Sequence, residues 1–130
     1  QSRAFIAKQM PTPLYFSAVV FGELMTACND TKELKAYQKA WKENVADGFL
    51  VVPTEEDWLE ASRIGFHLAQ ERKKDAGGKS PKRAAKVKQE LALDCLIAVS
   101  CAREGITVIT NDNDFWAIGR YLKRLKLLKF

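Results

Sequence analysis

The stretch Leu91–Phe115, LALDCLIAVSCAREGITVITNDNDF, decides the fold. In its first part Leu91, Asp94, Ile97, Ala98 and Cys101 recur three or four apart. That spacing puts them on one helical face, so Asp94 is a carboxylate on an otherwise apolar stripe. Arg103-Glu104-Gly105 then predicts a helix end with glycine at the stop. Ile106 to Thr110 is a short β-branched run and predicts a buried strand. It ends in Asn111-Asp112-Asn113-Asp114. Helix, strand, then acids at the strand's carboxyl end is the order in which open α/β sheets build their sites. Burying Asp94 is costly unless something compensates its charge. An arginine or backbone amides would make it structural. A divalent cation shared with the acids after the strand would make it functional.

Upstream, the pattern repeats. Leu14-Tyr15-Phe16 reads as a short strand, and Ser17 as the N-cap of a helix from Ala18 to Cys28. In that helix Glu23 shares a face with Val19, Val20, Leu24 and Ala27, a second acid on an apolar stripe. Two such acids, each near a helix start, point to a shared ligand. Thr31 is placed to cap a polar helix over Lys32–Ala46, with Leu34, Ala40 and Trp41 as partial core contacts. Asp47-Gly48 is a turn, and Phe49 to Val52 an apolar strand stopped by Pro53. Thr54 caps a long helix, with Asp57 at the capping-box position. Its buried stripe is expected at Trp58, Ala61, Ile64, Gly65, Leu68 and Ala69, with His67 beside it as a packing or surface histidine.

Lys73–Pro81, KKDAGGKSP, is the clearest loop. Gly78-Lys79-Ser80 has the ending of a phosphate-binding loop, but that pattern needs glycine where Lys73 stands and a strand before it. A basic segment, Lys82 to Lys88, leads into the Asp94 helix. A short helix is expected over Phe115–Leu122 and a last, lysine-rich edge strand over Leu125–Phe130. Gln1–Met10 reads as the end of a helix closed by Pro11 and Pro13. This order implies a parallel α/β sheet flanked by helices.

Composition narrows the function. At 130 residues and 47% hydrophobic, the chain suits one domain with a real core. No apolar run approaches the roughly 20 residues of a membrane span. The first ten residues, QSRAFIAKQM, hold two cations and no long apolar run, so no secretory leader and a cytoplasmic setting are expected. Cys28, Cys95 and Cys101 fit small thiols in a reducing compartment. With one histidine and no CxxC pair, zinc is not expected. Net charge is +5, but residues 71–90 and 120–130 together carry +10, leaving −5 on the other 99. Basic surfaces beside an acidic remainder suit nucleic acid held at the rim of a carboxylate site; the alternative is ordinary solvated helix and tail. Lys79, Lys82, Arg83, Lys86 and Lys88 are the candidate phosphate contacts.

Parallel topology lets Glu23, Asp94, Asp112 and Asp114 converge at the carboxyl edge of the sheet. Their oxygens select Mg²⁺ or Mn²⁺. The segments SAVVFGEL around Glu23, LALDCLIAVSCAREG around Asp94 and ITVITNDNDF around Asp112 resemble the PIN-domain family, in particular VapC-type toxins. The resemblance covers about residues 14–116. It implies a metal-dependent ribonuclease on a PIN-like parallel sheet, with Glu23, Asp94 and Asp112 as metal ligands and Asp114 beside them. It also implies RNA as substrate, a cognate antitoxin blocking the acidic pocket, and a homodimer. The family begins with an apolar strand ending in aspartate. This chain starts at Gln1 and has no Asp before Asp30, so residues 1–130 are expected to be one N-terminally incomplete domain. Two other readings stand beside the enzyme. One is a non-catalytic PIN-like module that binds RNA or protein. The other is a small α/β regulator that accepts a phosphoryl group.

Overall fold

The computed structural model describes residues 14–76 and 81–130, and the side chains of these apart from 76 and 81–87. The chain divides into two compact units, one ending at Val51 and one spanning Val52–Phe130.

In the first unit, β1 (Phe16–Ser17) pairs in parallel with β2 (Leu50–Val51), in the register Phe16↔Leu50 and Ser17↔Val51. Two helices, α1 (Ala18–Thr26) and α2 (Thr31–Asp47), carry the crossover. Ser17 caps α1 as expected, its hydroxyl accepting from the Val19 amide at 3.2 Å. The core here is aromatic. Phe21 is buried, with Phe16 at 5.7 Å and Trp41 at 5.9 Å between ring centroids. The cap of α2 is Asp30 rather than Thr31. Its carboxylate accepts from the Glu33 amide at 2.8 Å, while Glu33 accepts from the Asn29 amide at 3.1 Å. A carboxylate at this position also favours the positive helix end, which the Thr31 hydroxyl would not. Gly48 closes α2 at φ +74°, a conformation that favours glycine.

The second unit is built on two long helices. Thr54 and Asp57 form the expected capping box at the start of α3 (Glu55–Ala76). The Thr54 amide donates to Asp57 at 2.9 Å, and the Asp57 amide to the Thr54 hydroxyl at 3.1 Å. α3 packs along α4 (Pro81–Arg103), burying Ala61, Ile64 and Leu68 against Leu91, Cys95, Leu96 and Val99. The two helices lie close at Gly65, where a Cβ would make ordinary van der Waals contact with Cys95 Sγ at 3.9 Å. Gly105, at φ +70°, ends the α4 segment, and the Ile106 amide returns to the Cys101 carbonyl at 2.9 Å. β3 (Val108–Ile109) then pairs in parallel with β4 (Leu127–Leu128), as Val108↔Leu127 and Ile109↔Leu128. The short helix α5 (Asn113–Gly119) links them and buries Phe115 and Ile118.

Several expectations are corrected. The parallel pairing holds, but the described residues form two separate two-stranded pairs rather than a full sheet. Trp58 is 55% exposed and leaves the α3 stripe, because the buried face runs through Asp57, Ala61, Ile64 and Leu68, and Trp58 stands one residue, about 100° of helix, away from Asp57. Lys73–Ala76 and Pro81 are helical where a loop was expected over Lys73–Pro81, and residues 77–80 lie outside the described residues. The helix end expected over Gln1–Met10 also lies outside them.

Candidate metal centre

Asp94 stands half-buried on α4, at the edge of the stripe formed by Leu91, Ile97, Ala98 and Cys101. Asp112 follows β3 and caps α5. Its Oδ1 accepts from the Asp114 amide at 2.9 Å, and its own amide donates to Thr110 Oγ1 at 3.0 Å. This local turn fixes Asp112 and Asp114 together. Carboxylate oxygens of Asp94, Asp112 and Asp114 lie within 4.8 Å of one another.

A fourth residue enters from α3. The Arg72 guanidinium donates to Asp114 Oδ1 at 2.6 Å, with both side chains 37% exposed. Sequence reasoning passed over Arg72. The signal was present, since Arg72 follows Leu68 by four and continues the stripe Ala61–Ile64–Leu68 as a cation. Its neighbour Glu71 is engaged elsewhere. The Tyr121 hydroxyl donates to it and holds its carboxyl below the usual range, and Arg120 adds a contact at 3.2 Å.

Soft ligands do not contribute. Burial pushes the Cys95 thiol up to about 12, and the charge of Asp94 pushes the same way, so it stays protonated at neutral pH. His67 is exposed, stacked on Tyr121 at 6.1 Å and edge-on to Phe66 at 5.4 Å, the packing role expected of it. Three hard carboxylate oxygens suit Mg²⁺ and Mn²⁺ alike, and the donor set fits such an ion.

Glu23 is exposed on α1, in the first unit, and not on a buried face as the spacing predicted. Phe21 is the buried residue of that helix. Lys88 is exposed. Lys79 and the side chains of Lys82, Arg83 and Lys86 lie outside the described residues. An open hollow lined by Asp57, Glu60, Arg63, Arg103 and Arg124 shares no residue with the acid cluster. Two of its cations are met within it, Arg103 by Asp57 and Arg124 by Glu60.

The family model of the PIN domain matches residues 1–121. The chain belongs to the PIN-domain family. A comparison with curated proteins finds no match. PIN domains are generally metal-dependent nucleases with acidic metal-binding residues, and in this PIN domain three acids meet at one point of the second unit. Among the described residues no helix is long and apolar enough to cross a membrane.

Proposed function

We propose that this PIN-domain protein is a divalent-metal-dependent endoribonuclease, the VapC-type toxin of a toxin–antitoxin pair acting in the cytoplasm. The convergence of Asp94, Asp112 and Asp114 carries the reading. These three would hold Mg²⁺ or Mn²⁺, which when bound supplies an activated water and neutralises charge gathering on a phosphodiester. Asp112 keeps its place through the α5 cap, and Asp114 through that turn and Arg72. Glu23 is a further ligand on the family resemblance alone. Lys79, Lys82, Arg83, Lys86 and Lys88 would take backbone phosphates rather than bases, positioning RNA without reading its sequence. The same resemblance supplies a cognate antitoxin and a homodimer as partners.

A second reading, a non-catalytic PIN-like module for RNA or protein, draws on the Arg72–Asp114 ion pair, which already neutralises one of the three acids. Cleavage assays separate the two. The enzyme should cut RNA in Mg²⁺ or Mn²⁺ and stop in EDTA. Asp94→Asn should slow it by at least about 100-fold, since a misplaced metal forfeits several kcal/mol of charge stabilisation. Cleavage indifferent to both changes would refute the nuclease.

A further inference from the structure

We propose that Trp116 and Lys129 form a subsite for one nucleotide of single-stranded RNA beside the three acids, the indole stacking on its base and the ammonium taking its phosphate. The proposal rests on the ribonuclease reading above and adds where its substrate strand lies.

The placement follows from register. β3 and β4 are parallel, so α5 between them must carry the chain back against their direction. The edge of α5 that faces β4 is marked by Gly119, where a Cβ would lie 3.5 Å from Leu127 Cδ1. Trp116 precedes Gly119 by three residues, so it lies near the same edge, about 4.5 Å along the axis towards Asp112. Asp112 is itself one turn before Trp116. A helical side chain covers the turn ahead of its own Cα, which brings the indole towards the acids. Lys129 is the residue after the end of β4, so it lies beyond Leu127 in the direction in which β4 runs. That direction also leads to the acids. Thr110, at the end of β3, donates its amide to the Leu128 carbonyl at 2.9 Å and accepts the Asp112 amide on its hydroxyl.

Exposure and charge agree. Trp116 is 44% exposed, whereas its neighbour Phe115 is buried. Arg120 and Arg124 are engaged by Glu71 and Glu60, but Lys129 is exposed and makes no ion pair among the described residues. An exposed aromatic face and a cation with no ion pair among the described residues are what a single strand needs. Its bases can splay onto a ring, and its phosphates need a cation where carboxylates would repel them. Duplex bases are already stacked and cannot use the indole.

Fluorescence anisotropy of a short fluorescein-labelled RNA of mixed sequence, in EDTA so that nothing is cut, reads binding apart from catalysis. Trp116→Ala should weaken single-strand binding about 10-fold, while Trp116→Phe should keep most of it. Lys129→Gln should lower affinity and reduce the log–log salt slope by about 0.7. Abasic replacements along the RNA should reveal one position where wild-type protein loses affinity and the Trp116→Ala protein does not. Equal binding by Trp116→Ala protein, or an equal loss on duplex RNA, would overturn the stacking role. An unchanged salt slope in Lys129→Gln would overturn the phosphate contact. Wild-type protein that binds no single strand would overturn both this subsite and the ribonuclease reading. Wild-type binding with the expected losses, but no cleavage in Mg²⁺, would support the subsite and overturn the ribonuclease alone.

Discussion

Replacing Asp112 by Asn tests whether the three acids are a metal pocket or scaffold. The change is local. The one hydrogen bond that Asp112 Oδ1 accepts, from the Asp114 amide at 2.9 Å, can be accepted equally by an asparagine amide oxygen. Asparagine is also as good an N-cap as aspartate. What the substitution removes is one negative charge from a cluster whose oxygens lie within 4.8 Å. At that separation each like-charge pair costs about 3.5 kcal/mol at an effective dielectric of 20, and about 0.9 kcal/mol in bulk water. Asp112 is exposed, so the lower figure applies. Two neighbours then give under about 2 kcal/mol of repulsion, part of which the nearby Arg72 cation cancels. In EDTA, Asp112→Asn should therefore raise stability by about 1 kcal/mol, a few degrees in Tm for a chain of this size. In saturating Mg²⁺ or Mn²⁺ the order should narrow or reverse, because ligand binding then stabilises the wild type more. Thermal melts of both proteins, each with EDTA and with metal, supply the four values. A loss of stability of the same size with and without metal would refute the reasoning and make Asp112 part of the scaffold.

Arg103→Ala should destabilise by about 2–3 kcal/mol in urea melts, below the usual range for a buried pair because Arg103 is a third exposed. It would leave Asp57, 3% exposed, without the Nε donor that reaches both its oxygens at 3.1 and 2.9 Å. A change under about 0.5 kcal/mol, typical of surface pairs, would contradict this account. Stability should also fall in alkali through Cys101, whose thiol burial pushes up to about 11. The folded state keeps that proton while the unfolded chain releases it near 9, so the stabilisation is complete below 9 and is lost as pH rises through 11. Cys101→Ala should flatten the decline over that window by up to about 1.4 kcal/mol per pH unit; parallel wild-type and variant curves would rule it out.

Local chemistry was the most legible part of the chain. The Thr54–Asp57 box, the Ser17 cap and the glycine ending α4 each depend on a few neighbouring residues, and each formed as read. Asp94, Asp112 and Asp114 were legible because an acid on a helical stripe and acids after a strand are positional anomalies. Glu23 was misread for a related reason. Its helix, AVVFGELMT, is apolar almost all round, so period alone cannot say which face is buried. Strand extent was also illegible: runs of three to six residues yielded ladders of two. How far a strand pairs depends on partners distant in sequence, which a single run does not encode.

Arg72 shows what one-dimensional reading loses at a site. Among eight cations over residues 71–90 it looks like part of a solvated basic face. In the structure it touches the acid cluster at Asp114. Its effect is calculable in kind. Three carboxylates carry a formal −3, and Arg72 offsets one of these charges at Asp114. Without an internal cation, three acids could fold together only against all three mutual repulsions. With it, Asp114 is held at 2.6 Å in a fixed direction, and its amide sits on the oxygen of Asp112. The same arginine thus lowers the energy of gathering the acids and fixes the geometry in which they meet. It follows that Asp114 is more constrained by the scaffold than Asp112. The Asp112 carboxylate, whose one described contact is the Asp114 amide, is freer to take up a ligand.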